Sequence, residues 1–194
     1  GTTARLVSVH SGTGLPGGGA TATTARLSGN GQHVVFESAR PLIAGMPGPP
    51  SAVQVYLRDV AAGTTQLLTA DTNGDYGALD SGPAQITPDG RFVVFDSNAF
   101  NLLPGLFGQH VYHLDRDVDE NGTFDEAGNT ELTRVDVADG CAEPPTAIGF
   151  ASDLSDDGRF VTFTSFTSAL VLTGSTDNNL VADVFIHDRQ KCNT

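Results

Sequence analysis

The stretch Ile86-Thr-Pro-Asp-Gly-Arg-Phe-Val-Val-Phe-Asp-Ser97 decides how this chain is read. Asp89-Gly90 is a pair suited to a tight turn, because glycine takes positive φ without a steric penalty. After the turn, Val93 and Phe95 fall two residues apart, the period of a strand with one face buried. The unit therefore reads strand, turn, strand. It occurs twice more, as Leu27-Ser-Gly-Asn-Gly-Gln-His-Val-Val-Phe-Glu-Ser38 and as Leu154-Ser-Asp-Asp-Gly-Arg-Phe-Val-Thr-Phe-Thr-Ser165. Gly31, Gly90 and Gly158 each follow Asn or Asp, and Val34/Phe36, Val93/Phe95 and Val161/Phe163 mark the same positions in the second strand.

Outward from each hairpin the pattern continues. A variable loop leads to a third strand: Val53–Asp59, His110–Asp115 and Asp183–Asp188. In the first two repeats a fourth follows, Thr64–Thr69 and Glu131–Val137. Four antiparallel strands per repeat of about 60 residues describe one blade of a β-propeller. The expected fold is all-β, with three four-stranded antiparallel blades: 21–70, 83–138 and 150–190. The third repeat reaches Thr194 without a fourth strand, while residues 1–10 carry a fourth-strand pattern at Ala4–His10. That segment is expected to close the third blade, in cis or from a neighbouring chain. Three blades are fewer than the four to eight of a closed ring. Two chains exchanging N-terminal strands would give six blades; an open filament, or a piece of a longer propeller, are the other possibilities.

The combination of Ser/Pro-Asp-Gly-Arg-Phe-Val-x-Phe, Asp-Val-Phe-x-His-Asp-Arg and Thr-Thr-x-Arg-Leu-Val-Ser-Val resembles the TolB-like, WD-repeat-like propeller repeats of bacterial secreted and periplasmic proteins. The resemblance covers nearly the whole chain and implies a propeller without implying one function. The first repeat departs most, with Gly29-Asn-Gly-Gln32 where the others have Asp-Gly-Arg.

One loop carries metal chemistry. In Asp115-Arg-Asp-Val-Asp-Glu-Asn-Gly-Thr-Phe-Asp-Glu126, the side chains of Asp117, Asp119 and Asn121 alternate before Gly122. Ca²⁺ takes six to eight hard oxygens, and this start resembles a calcium loop. Thr123 would add a carbonyl, and Asp125, Glu126 or Asp115 would replace the missing bidentate acid, since the twelfth position is Gly128. A solvated acidic hairpin is the alternative, and Asn121-Gly-Thr123 also forms a glycosylation sequon. Asp71–Asp75 and Asp177–Asn179 read as turns.

Composition bounds the rest. A net charge of −13, with nine Arg and the single Lys191, disfavours nucleic acid. No apolar run reaches the roughly 18 residues of a membrane span. No leader is seen, and a secreted or periplasmic setting is expected. Cys141 and Cys192 permit one bridge, within or between chains, or two free thiols. The histidines His33, His110, His113 and His187 fall on strands, and most of them read as hydrogen-bonded side chains rather than metal ligands. No nucleophile elbow, zinc pair or phosphate loop appears. The expected function is a non-catalytic propeller module for protein binding or self-assembly, stabilised by calcium. The alternatives are the propeller domain of a secreted hydrolase, or a peptide or glycan recognition domain.

Overall fold

The structure is a computed structural model describing residues 4–11, 13–16, 22–46, 52–138, 148–170 and 181–191. Within them the fold is all-β. The strands are β1 (Ala22–Leu27), β2 (His33–Ser38), β3 (Gln54–Asp59), β4 (Thr64–Leu67), β5 (Ser81–Ile86), β6 (Phe92–Ser97), β7 (His110–Asp115), β8 (Glu131–Arg134), β9 (Gly149–Leu154), β10 (Phe160–Ser165) and β11 (Asp183–Asp188). They form three antiparallel sheets, ordered β1-β2-β3-β4, β5-β6-β7-β8 and β11-β10-β9. The second sheet begins at Ser81, two residues before its expected start. No helix among the described residues is long and apolar enough to cross a membrane.

The three hairpin turns are built alike. Asn30, Asp89 and Asp157 each accept, through Oδ1, the backbone N–H two residues on, at 2.9–3.0 Å. Ser28, Thr87 and Ser155 each accept the N–H of the first residue of the next strand, at 2.9–3.0 Å. Gly31, Gly90 and Gly158 have φ of 71°, 90° and 68°, so the glycine is a conformational requirement. The Arg after the turn then crosses to the end of the third strand. Arg91 makes two bonds to Asp115 (2.9 and 2.8 Å) and Arg159 makes two to Asp188 (both 2.8 Å). The first repeat has Gln32 there, and Asp59 instead accepts from the Ala62 N–H at 2.7 Å. The recurring acids at the third-strand ends are therefore structural.

Strand alternation gives every sheet two faces. Leu27, Val34, Phe36 and Tyr56 share one face of the first sheet, here called the front; Ile86, Val93, Phe95 and Tyr112 are their counterparts in the second, and Leu154, Val161, Phe163 and Phe185 in the third. On the back lie Val55 and Leu57, then Val111 and His113, then Val184 and Ile186. The back of the first sheet packs on the front of the second, in a cluster of Val35, Val55, Leu57 and Leu68 with Val93, Phe95 and Tyr112. The back of the second packs likewise on the front of the third, joining Val94, Val111 and Val135 to Val161 and Phe163. Burial of these apolar side chains, worth about 1.5–3 kcal/mol each, is what holds the array together.

The N-terminal segment differs from expectation. Ala4–His10 does not add to β11 within the chain, and its described residues form no strand beyond an isolated bridge, Val9 to Pro16. The reason is placement: the segment lies on the first sheet, with the second sheet between it and β11. Its position is informative. Val7 packs on the front of the first sheet, as Leu68 packs on the second and Val135 on the third. The Val9–Pro16 bridge matches the Ala70–Tyr76 bridge that follows β4. Residues 7–11 and 13–16 thus sit on the first sheet as residues 68–76, the end of a fourth strand and its turn, sit on the second. Thr65 anchors them, its hydroxyl donating to the Val9 carbonyl at 2.8 Å.

His113 sits on the back of the second sheet, fully buried, 5.1 Å from the Phe92 ring, and neither ring nitrogen has a hydrogen-bond partner. Leu57 fills the equivalent place on the back of the first sheet. Burial, aided by the Arg189 guanidinium and opposed by Asp115, pulls the imidazole down to about 3. The folded value lies below the ordinary 6.5, so between these two values the unfolded chain binds a proton that the fold rejects. The contribution to stability is full above the unfolded value and falls as pH drops toward the folded one. Against His113→Leu, the native chain is expected to lose about 2–3 kcal/mol more between about pH 7.5 and about pH 4.5, read from urea midpoints. Parallel slopes for the two proteins would exclude it.

Candidate functional site: the acidic hairpin between β7 and β8

The loop from Asp115 to Thr130 is held by its own polar groups. Asp117 accepts from the Asn121 N–H at 3.1 Å and the Gly122 N–H at 2.9 Å, one on each oxygen. Asp119 Oδ2 accepts from the side-chain amides of Asn121 (3.0 Å) and Asn129 (2.9 Å). Glu126 Oε2 accepts from the same Asn121 amide at 2.7 Å. Asn121 Oδ1 in turn takes the Thr123 N–H at 2.7 Å. Glu120, Gly122 and Asp125 have positive φ, which curls the chain tightly enough to gather these oxygens.

The seven candidate ligands therefore divide. Asp115 is paired with Arg91, whose charge and hydrogen bonds, against the effect of burial, hold the carboxyl below its usual range. Asp125 is paired with Arg116 through both oxygens. Asp117 is committed to backbone N–H groups. Asp119, Asn121 and Glu126 converge, and Thr123 closes the turn beside them. Among the described residues no three His, Cys, Asp or Glu gather as a cation site, and the two carboxylates that converge in the loop are those of Asp119 and Glu126.

Sequence reasoning missed Arg116. It is almost fully buried, its guanidinium 4.8 Å from the Phe124 ring centroid, and it donates to the Gly90 carbonyl as well as to Asp125. It ties the acidic loop to the hairpin turn of its own sheet. Its signal was a lone Arg in an acidic run, which needs a partner if buried.

Two other polar groups, His110 and Asp71, have structural partners. His110 Nδ1 lies 2.9 Å from Asp136 Oδ2, and Nε2 lies 3.2 Å from the Phe107 carbonyl; Arg134 donates to the same Asp136 at 2.8 Å. A His–Asp pair resembles part of a catalytic triad, but here both ring nitrogens are engaged and neither bonds a hydroxyl among the described residues. Asp71 accepts the N–H groups of Asn73 and Asp75, making the turn expected of it. Cys141, Cys192 and Asp177–Asn179 lie outside the described residues.

No protein-family model matches the sequence, and no curated protein matches it. Among solved structures the chain is similar to the tricorn protease, at 12% identity and a TM-score of 0.45. The likeness covers 85% of this chain and 12% of that one, so this chain spans a small part of that protein's length.

Proposed function

We propose that this chain is a non-catalytic β-propeller module that binds protein and assembles with its own copies outside the cytoplasm. The observation that supports it is the repeated front-to-back packing. The second sheet offers its front to the first sheet and its back to the third, and the third sheet has no fourth strand among the described residues. Such an array is completed by adding sheets of the same kind, and a strand supplied by a neighbour removes an open edge. Asp115, Asp188 and His110 are engaged in strand-end and strand-edge pairs, which supports the module over the hydrolase. The acidic, lysine-poor surface supports an extracytoplasmic setting. Native mass by light scattering tests the reading: a concentration-dependent rise to about twice the 20.1 kDa chain or more is expected. A constant single-chain mass would remove self-assembly.

Calcium enters the proposal as a stiffener of the acidic hairpin, held by Asp119, Asn121 and Glu126. What supports it is the alternation of acids before Gly122 and the convergence of two carboxylates on one amide. Calcium at about a hundred times its Kd is expected to raise the unfolding free energy by about 2–3 kcal/mol, with Asp119→Ala abolishing the effect. Calorimetric titration that yields no saturable heat would dismiss the metal and leave the module reading standing.

A further inference from the structure

The two internal sheet contacts share a detail that the ends of the array lack. At the first, the His33 ring from the back of the first sheet lies on the turn of the second, where a Cβ on Gly90 would stand 2.6 Å from Nδ1. At the second, the Phe92 ring lies so close on Gly158 that a Cβ there would overlap it. Gly90 and Gly158 are buried as a result, whereas Gly31 is exposed, with nothing within 4 Å of its Cβ position. The third ring of this set, Phe160, is half-buried and covers no hairpin turn among the described residues.

The apolar faces show the same vacancy. Val55, Leu57, Val111 and His113 are wholly buried on the backs of the first two sheets, but Val184 and Ile186 are 74% and 69% exposed. At the other end, Ile86 and Leu154 pack in the clusters between sheets, while their counterpart Leu27 is 61% exposed. The outer part of the first sheet's front is already covered by Val7 and Val9, in the manner of a preceding sheet's fourth strand.

Resting on the module reading, we infer that the occupant of the third sheet's back is the first sheet of a second copy. Phe160 seats on Gly31, Val184 and Ile186 cover Leu27, and the second copy's Ala4–His10 lies along β11 as its fourth strand. The contact continues an interface the chain already makes twice, and one chain carries both halves at opposite ends. It is heterologous, so it closes into a six-sheeted ring of two copies or propagates as a filament.

The test uses two variants of exposed residues, Ile186→Glu and Leu27→Glu, each first shown by circular dichroism to fold as the parent. Sedimentation velocity is run on the parent, on each variant and on their mixture. The parent associates, and each variant alone loses association by about 100-fold or more, because a carboxylate would be buried unpaired. The mixture forms a heterodimer and goes no further: the Leu27→Glu chain keeps a good third sheet, and the Ile186→Glu chain a good first sheet. A parent that associates with both variants unaffected, or a mixture that stays monomeric, overturns this contact and spares self-assembly. A parent that remains a single chain overturns both.

Discussion

Asp125→Asn is expected to lower the unfolding free energy by about 2–4 kcal/mol, one of the two largest losses for a single substitution at the acidic loop or the turns. Arg116 is nearly inaccessible to water, and Asp125 neutralises it through two hydrogen bonds. Removing the carboxylate charge leaves a buried guanidinium facing an amide, and the Gly90 carbonyl and Phe124 face do not replace the lost charge. The choice of Asn matters, because Asp125 has a φ of 62° and asparagine tolerates that conformation better than alanine. Asp119→Asn is the control. Its carboxylate is exposed and meets only amide groups, so its loss stays within about 1 kcal/mol. Urea denaturation of the three proteins at neutral pH separates the cases; equal losses would mean the Arg116 pair does not hold the loop.

Gly158→Ala is the second large effect. The residue has a φ of 68°, so any side chain costs about 1–2 kcal/mol in conformation. The new methyl would also meet the Phe92 ring, which is confined by Arg91 at 4.5 Å, Arg189 at 5.1 Å and His113 at 5.1 Å. Overpacking adds about 1–3 kcal/mol. Gly31→Ala has the same backbone penalty at a φ of 71° but meets nothing. Measured at concentrations where the chain is single, Gly158→Ala should therefore unfold more easily than Gly31→Ala by about the overpacking term. Equal destabilisation would remove the sheet-to-turn contact from the account.

The repeat was legible because its turn is a local device. Asn or Asp before glycine, with Ser or Thr two positions before that acid or amide, specifies the same hydrogen bonds three times, whatever surrounds it. Third strands at His110–Asp115 and Asp183–Asp188 were placed at their observed bounds because the three repeats align there and each ends on the same acid. Ala4–His10 was readable as a fourth strand in composition but not in conformation, because a strand exists only beside a partner and β11 lies at the other end of the array. The burial of His113 was not legible, because alternation assigns a face and only tertiary packing decides how deeply that face is covered. The acidic loop had two competing readings. A carboxylate in a calcium pattern is equally a partner for a buried Arg, and Arg116 takes Asp125.

The most direct measurement is hydrogen exchange at β11 as the chain is concentrated. In an antiparallel sheet every second amide of an outer strand points away from its neighbour. Those amides in Asp183–Asp188 are expected to become protected as the chain associates, together with amides of Ala4–His10, and Leu27→Glu is expected to remove the protection. Fast exchange at those positions in the fully associated protein would contradict this assembly.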